Sequence, residues 1–283
     1  MYARLHRGFS KLSHYSKALY TSFYSPTIYA DVVKRGRGLR MGYLLFLVVL
    51  GTLPLSGRVI VAFNHFFEER MLLPFQALPL LTIQHGEVIY HQSMPCLIKN
   101  HEGEVISIID TTGTVSEINQ TYPQLTVLIT KNKMDFRAPS YKQFLGLSKN
   151  STGNPIYTRT FNKDLNGQFS GTEWIHSTGI SKLNVLIQMM IFPCIMLFYL
   201  GIFSATLLLL ATLTQLYADI FFRLKLPFKA ACRLLITAST STLVLFFIMR
   251  CNDWTASGMR LVYSVLLLSY ISYGLYSVKQ LEA

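Results

Sequence analysis

Leu183–Ala218 reads LNVLIQMMIFPCIMLFYLGIFSATLLLLATLTQLYA, 36 residues without one charge. A single helix of that length would run ~54 Å at 1.5 Å per residue. A bilayer's hydrocarbon core is ~30 Å thick and asks for roughly 20 helical residues per crossing. The stretch is therefore too long for one straight crossing and marginal for two. One reading is a single helix, kinked at Pro193, that projects past the bilayer; the other is a hairpin turning near Gly201. Three more stretches carry no charge: Met41–Gly57, Leu234–Met249 and Leu261–Val278. Apolar residues concentrated in runs of spanning length, instead of recurring on one face, mark a multi-pass membrane protein.

Charge orients these spans. Residues 1–40 hold eight basic residues against Asp31, residues 64–182 hold ten of each sign, and residues 183–283 hold seven basic against three acidic. With one crossing at Leu183–Ala218, the connector bearing Arg223, Lys225, Lys229 and Arg233 falls on the side of the basic N-terminus, as the positive-inside rule prefers. A hairpin would put those four charges outside. The expected architecture is an α-helical integral membrane protein of four spans with an inserted β-rich extracytoplasmic domain. Its parts are a basic interfacial segment (1–40), helix 1 (41–63), the domain (64–182) and a long helix 2 (183–220). A basic connector (221–229), helix 3 (230–250), helix 4 (258–278) and a short tail (279–283) complete it, with both termini cytoplasmic. Arg58, Arg233 and Arg250 are expected to snorkel to the interfaces, and helix 3 can start just after Pro227.

The net charge of +12 invites a nucleic-acid reading, but the basic residues flank the spans and form no domain of their own, so no nucleic-acid partner is expected. Lys34, Arg35, Arg37, Arg40, Arg223, Lys225, Lys229 and Arg233 read as orientation signals and contacts to anionic lipid. In residues 1–40, Phe9, Tyr15, Tyr20, Phe23, Tyr24 and Tyr29 fall near helical spacing, as in a segment lying among headgroups. The same stretch, Arg-containing, Ser-rich and acid-poor, has the composition of a mitochondrial transit peptide as its alternative. Only Cys96 of four cysteines lies in the domain, so no disulfide framework is expected within it.

Residues 72–182 read mostly as strand. Glu87–Tyr90, Val105–Asp110 and Leu125–Thr130 are rich in Val, Ile, Leu and Thr between Gly, Asn and Pro clusters, with a turn at Asn100–Gly103. The tract Lys149–Gly179, rich in Ser, Thr, Asn and Gly, reads as a loop or an extended return to the membrane. Asp110, Thr111, Thr112 and Gly113 end an aliphatic strand with side chains that bond their own backbone and a Gly able to take φ > 0. That is a structural turn, as is Gly86. An Asp-x-Thr sequence is also the vocabulary of phosphoaspartyl and aspartic-protease sites, which leaves Asp110, Thr111 and Thr112 as candidate ligand-binding residues. A protease would need a second Asp box, and phosphoryl transfer a metal and a Lys in a cytoplasmic α/β fold.

His85, His91 and His101 lie near Glu87, Glu102 and Glu104, but their spacing matches no metal motif. No HExxH, GxSxG, Walker or Rossmann box occurs. Asn119 and Asn150 open glycosylation sequons by pattern. Within the spans ionisable groups are nearly absent, which disfavours a transporter. Asp219 and Arg223 are spaced for an ion pair, and the hydroxyls of Thr237–Thr242 favour close helix contact.

ALYTSFYSPTIYADVVKR (Ala18–Arg35), LPLLTIQHGEV (Leu78–Val88), EVISIIDTTG (Glu104–Gly113) and LTVLITKNKM (Leu125–Met134) together resemble the bacterial membrane family of domain of unknown function 1189. Some Gram-positive members of that family are named maltodextrin utilization protein. The resemblance runs from about residue 10 to the end, with the IIDTTG box its most specific part. It implies an interfacial N-terminal helix, one span, an extracytoplasmic domain and a C-terminal helical bundle in a bacterial cytoplasmic membrane. Members tend to carry an acid where this chain has Leu80. LPFKAACRLL (Leu226–Leu235) is similar to the basic cytoplasmic turn of Yip-type membrane proteins. Neither family brings a reaction. The expectation is a non-enzymatic scaffold or sensing subunit without cofactor or metal, whose partners are membrane lipids and other membrane proteins, in no determined oligomeric state. The alternative is an accessory subunit of a carbohydrate transport system, with a membrane enzyme third.

Overall fold

The computed structural model describes residues 13, 15–36, 38–118, 121–144, 153–254 and 257–280. Arg37, Phe9, the sequons at Asn119 and Asn150, and residues 281–283 lie outside the described residues. The chain divides into two compact units, one of residues 1–59 and 190–283, the other of residues 60–189.

The first unit is helical. After helical residues 15–21 it contains α1 (Pro26–Lys34) and the first part of α2 (Met41–Phe67). Later in the chain come most of α6 (Ile180–Tyr217), α7 (Phe228–Cys251) and α8 (Met259–Gln280). Four helices are long and apolar enough to cross a membrane. α6 runs 38 residues through both Pro193 and Gly201 without a break, so the hairpin does not form. Leu and Met, strong helix formers, dominate the stretch. α7 begins directly after Pro227, which caps it with an extended φ/ψ of −65°/150°.

Burial is uneven among these helices. Of the apolar window of α7, 67% is buried, against 11% of that of α6. The small residues of α7 let its neighbours approach, and hydroxyls from Thr237 to Ser241 return to their own helix, as Thr237 Oγ1 to Arg233 O at 2.8 Å and Thr240 Oγ1 to Thr237 O at 2.8 Å. A Cβ on Gly51 of α2 would stand 2.1 Å from the Phe247 ring of α7, so only glycine admits that contact. The N-terminal segment is part of this packing. Tyr29, Ala30 and Val32 of α1 are buried and α1 packs on α7 and α8. Tyr29 donates to Ser22 O at 2.6 Å and meets Tyr273 edge-on, while Tyr273 of α8 donates to Tyr24 O at 3.0 Å. Of the aromatics expected among headgroups, Tyr29 is a core residue of this unit, Tyr15 is half-buried, and Tyr20, Phe23 and Tyr24 are exposed.

The second unit carries two sheets. β1 (Leu81–Gln84) lies between β2 (Glu87–Ile89) and β8 (Gly167–Phe169), both antiparallel to it. The larger sheet has the order β3 (Cys96–Lys99), β4 (Val105–Asp110), β5 (Val127–Thr130), β6 (Lys133–Arg137), β7 (Ile156–Thr160). Among the described strands only β4 and β5 pair in parallel. A parallel pair needs a crossover, supplied here by residues 111–126. β4 and β5 are buried on both faces, which explains their unalternating VISIID and VLIT. Ile109, Val127, Ile129 and Met134 face a core closed by the smaller sheet, α3 (Leu73–Gln76) and α5 (Gly171–Thr178). There Phe75 stacks on Trp174 at 4.4 Å. On the opposite face Ile108 and Leu128 pack under the crossover residues Val115, Ile118 and Tyr122. A short helix, α4 (Tyr141–Phe144), places Phe144 against Phe63 and Phe66 of α2.

The tract expected as a loop at Lys149–Gly179 contains β7, β8 and α5. Two local signals explain the difference. Ile156-Tyr157-Thr158-Arg159-Thr160 has the β-branched and aromatic content of a strand, and Ser170-Gly171-Thr172-Glu173 is an N-cap sequence. Ser170 Oγ accepts the Glu173 N–H at 3.5 Å, and α5 ends on Gly179 at φ +71°.

Candidate functional site

The IIDTTG box is a closed turn. Asp110 is fully buried. Its Oδ1 accepts the Thr112 N–H at 2.8 Å and the Thr112 hydroxyl at 2.6 Å, and its Oδ2 accepts the Val115 N–H. Burial pushes the carboxyl up, but the hydrogen bonds from Thr112, Val115 and Gly113 outweigh it and hold Asp110 below its ordinary value. Gly113 sits at φ +83°, a conformation the turn requires. The crossover that begins here is tied at its far end by buried Arg137, whose guanidinium donates to Ile118 O and Pro123 O, both at 3.4 Å. Burial lowers the Arg137 pKa. A carboxylate whose oxygens are occupied by its own loop is poorly placed to hold a ligand or attack one. Thr111 is half-buried and Thr112 exposed.

Gly86 does what its position in IQHGEV suggests. With His85 at φ 51° and Gly86 at φ 76°, Gln84 pairs with Glu87 across a two-residue hairpin whose twist suits the strands. A Cβ on Gly86 would come within 2.6 Å of Asn162 O. At the next turn Asn100 Oδ1 accepts the N–H groups of Glu102 and Glu104 at 3.0 and 2.9 Å. No group of three or more His, Cys, Asp or Glu that could hold a metal occurs among the described residues.

The basic candidates divide. Lys34, Arg35, Arg223, Lys225 and Lys229 are exposed, as contacts to anionic headgroups would need. Arg233 is not: it is 8% exposed, and its guanidinium donates to Val33 O at 2.9 Å and Gly38 O at 3.3 Å. The sequence reading of Arg233 as a lipid contact is therefore corrected. The carbonyls left open where α1 ends take the cation that lipid would otherwise meet. Arg40 is half-buried, donates to Thr237 Oγ1 at 2.9 Å and lies 5.2 Å from the Tyr43 ring centre. Burial lowers its pKa. Asp219 and Arg223 meet through the backbone, Arg223 N–H to Asp219 O at 3.1 Å, and not as the expected ion pair, because Arg223 turns into the left-handed region at φ 56°. Arg58 donates to Cys251 O and pairs with Asp253 at 2.6 Å, so this arginine also binds protein.

One feature of the sheet unit escaped the sequence reading. A cleft of about 290 Å³ opens between β7 and β8, with Ile83, Met134, Phe161, Phe169 and Trp174 as its apolar wall and Arg159, Gln168 and Ser177 as its polar groups. Among the described residues Arg159 is the only charged one lining it. A small apolar enclosure with a few polar groups is the usual form of a ligand pocket. Its residues come from the tract expected to be loop, and the signal that could have found it was the strand character of Ile156–Thr160.

A family model described as Protein of unknown function (DUF1189) matches residues 16–275. No curated protein matches the chain, and no solved structure matches it.

Proposed function

The chain belongs to the DUF1189 family of proteins of unknown function, and from that premise we propose that it is a binding subunit of a bacterial cytoplasmic membrane. In this reading the four long helices span the membrane with both termini in the cytoplasm, and the sheet unit lies outside as the recognition module. The helical unit holds lipid or other membrane proteins, and the chain performs no reaction. The observation that carries the reading is the cleft lined by Arg159, Phe161, Phe169 and Trp174. It is open, whereas the one catalytic-looking carboxylate, Asp110, is buried and saturated by its own turn. The charge distribution supports the orientation, with eight basic residues against one acid before the first span and ten of each sign in residues 64–182. A domain of no net charge lacks the one-sided field that steers polyanions, so the ligand is a protein or a neutral solute such as a glycan.

Two measurements test this. Reporters fused after Lys225 and after Ala283 should read cytoplasm, and one after Lys149 should read exterior; an exterior signal at Lys225 overturns the topology. Purification of the full chain in mild detergent should yield a stoichiometric partner. Arg159→Glu, a change at an exposed side chain, should release it. A partner retained by Arg159→Glu but lost on changes confined to α6 or α8 would move recognition to the helices.

A further inference from the structure

Four strands lie at the edges of the two sheets, and they differ in how well their open side is guarded. β2 and β8 are three residues long. β3 is interrupted by a register shift at Ile98/Lys99 and ends on a lysine. Short strands, bulges and lysines are the devices by which proteins prevent an edge from pairing with another chain. β7 has none of these. It is five residues long, about 17 Å, pairs with β6 in unbroken register from Lys133↔Thr160 to Arg137↔Ile156, and contains neither proline nor lysine. All five residues are exposed, with Ile156 and Tyr157 at 46% and 61%. Among the described residues no strand pairs with its outer side.

The hydrogen-bond phase of that edge follows from its two ends. Phe161 N–H donates to Asn132 O at 2.9 Å and Ala138 N–H to Pro155 O at 3.1 Å. In an antiparallel ladder bonded pairs alternate, so Tyr157 and Arg159 turn their backbone groups to β6. Ile156, Thr158 and Thr160 turn theirs outward. Three N–H and three C=O groups therefore stand at ladder spacing with no strand among the described residues to meet them. Side chains alternate across the same strand. Arg159, opposite Met134, lines the aromatic cleft together with Met134, whereas Thr158 points to the other face, where its hydroxyl donates to Asp135 at 2.6 Å.

We infer that the outer edge of β7 is a strand-addition site that takes an extended segment of a partner polypeptide as a sixth strand of the larger sheet. Every second side chain of that segment lies at the mouth of the cleft, where Phe161, Phe169 and Trp174 accept an apolar group and Arg159 favours a neighbouring carboxylate. Main-chain bonds give the affinity and the cleft gives the selectivity, as in other recognition by strand addition. The inference rests on the reading of the sheet unit as a recognition module and names the class of its partner. A glycan offers no ladder of alternating amide donors and acceptors, so the open edge favours a polypeptide.

The test uses the full chain in lipid nanodiscs and a phage-displayed library of dodecapeptides as probe. Selected peptides should carry apolar residues at alternate positions. N-methylation of alternate backbone amides in one phase should weaken binding roughly tenfold or more, and methylation in the other phase should leave it nearly unchanged. Thr160→Pro, which removes an outward N–H and no bond to β6, should weaken binding to the same degree. The methylated peptides keep the test independent of how the variant folds. Recovery of no peptide, equal sensitivity in both phases, or wild-type binding by a folded Thr160→Pro chain each overturns strand addition. A natural partner released by Arg159→Glu but kept by Thr160→Pro overturns it too, while leaving the recognition module standing.

Discussion

Arg233 in the helical unit and Asp110 in the sheet unit are charged groups that invite an outward role, the first toward lipid headgroups and the second toward a ligand. Both are buried and both are hydrogen-bonded to the backbone of their own chain. They differ in reach. Asp110 binds groups two and five residues away, whereas Arg233 binds carbonyls 200 and 195 residues away. A local cap shapes one loop, and its loss is contained there. A long-range cap joins α1 and the segment after it to α7, so its loss removes two bonds that close 195 and 200 residues of chain and loosens an entire helix. The same chemistry thus carries different structural weight according to the chain distance it closes.

The largest effect should come from breaking the long-range cap. Arg233→Met keeps an apolar stem but removes the donors to Val33 O and Gly38 O. Losing two hydrogen bonds from a buried charged donor costs about 2 kcal/mol or more. The expected readouts are a lowered melting temperature in detergent and faster hydrogen exchange in α1. Lys229→Met, one turn earlier on the same helix and exposed, should change stability by no more than about 0.5 kcal/mol. Equal effects at the two positions would mean that Arg233 acts as one more surface cation and that the contrast with Asp110 is empty.

Local devices are also the ones a sequence displays. The IIDTTG box, the His85–Gly86 hairpin and the Asn100–Gly103 turn all concern residues within a few positions of each other, where steric rules act directly. Val105–Asp110 was legible as a strand to its ends because its apolar run stops at a polar turn. The run of α6 was legible as a helix long and apolar enough to cross a membrane, yet its mean hydropathy of 2.3 against 1.8 for α7 says nothing about which helix is central. In lipid the most apolar helix gains nothing from burial, and small or hydroxylated residues mark the contacts instead. The role of Arg233 could not be read, since Val33 and Gly38 are ordinary residues whose carbonyls become partners only after folding. The cleft was only partly legible: the strand character of Ile156–Thr160 was a local signal, but Ile83, Met134, Phe161 and Trp174 come together from positions up to nearly one hundred residues apart.

A smaller effect is expected at the local cap itself. Gly113→Val places a β-branched residue at φ +83°, which costs of the order of 1–3 kcal/mol. Asp110→Asn retains an acceptor for Thr112 but turns an amide donor toward the Val115 N–H, so it should cost about 1 kcal/mol. Abundance and hydrogen exchange over residues 105–118 should report both, with Gly113→Val the worse. If Asp110→Asn removes partner binding while exchange is unchanged, the carboxylate is a recognition group and the turn is not its reason for being there.

The smallest effect is the pH dependence that the Asp110 hydrogen bonds impose. Desolvation raises its pKa, but the donors of Thr112, Val115 and Gly113 prevail and the folded value lies below that of the unfolded chain. Between the two values the unfolded state binds more protons, so stability rises with pH there. The contribution is complete above the unfolded carboxyl value of about 3.9 and fades as pH falls through the lower folded value. Hydrogen-exchange protection at Thr112 and Val115, measured on the full chain from pH 6 downward, should therefore hold to about pH 4 and then decline after correction for intrinsic exchange. Asp110→Asn should start from lower protection and show a shallower decline, because the group that titrates is gone. Protection that falls already between pH 6 and 5, or an identical acid profile in the variant, would place the controlling proton on another residue. An identical acid profile would also remove Asp110 as the tie that titrates and leave the Arg137 bonds to Ile118 O and Pro123 O, which do not titrate in this range, as the remaining hold on the loop.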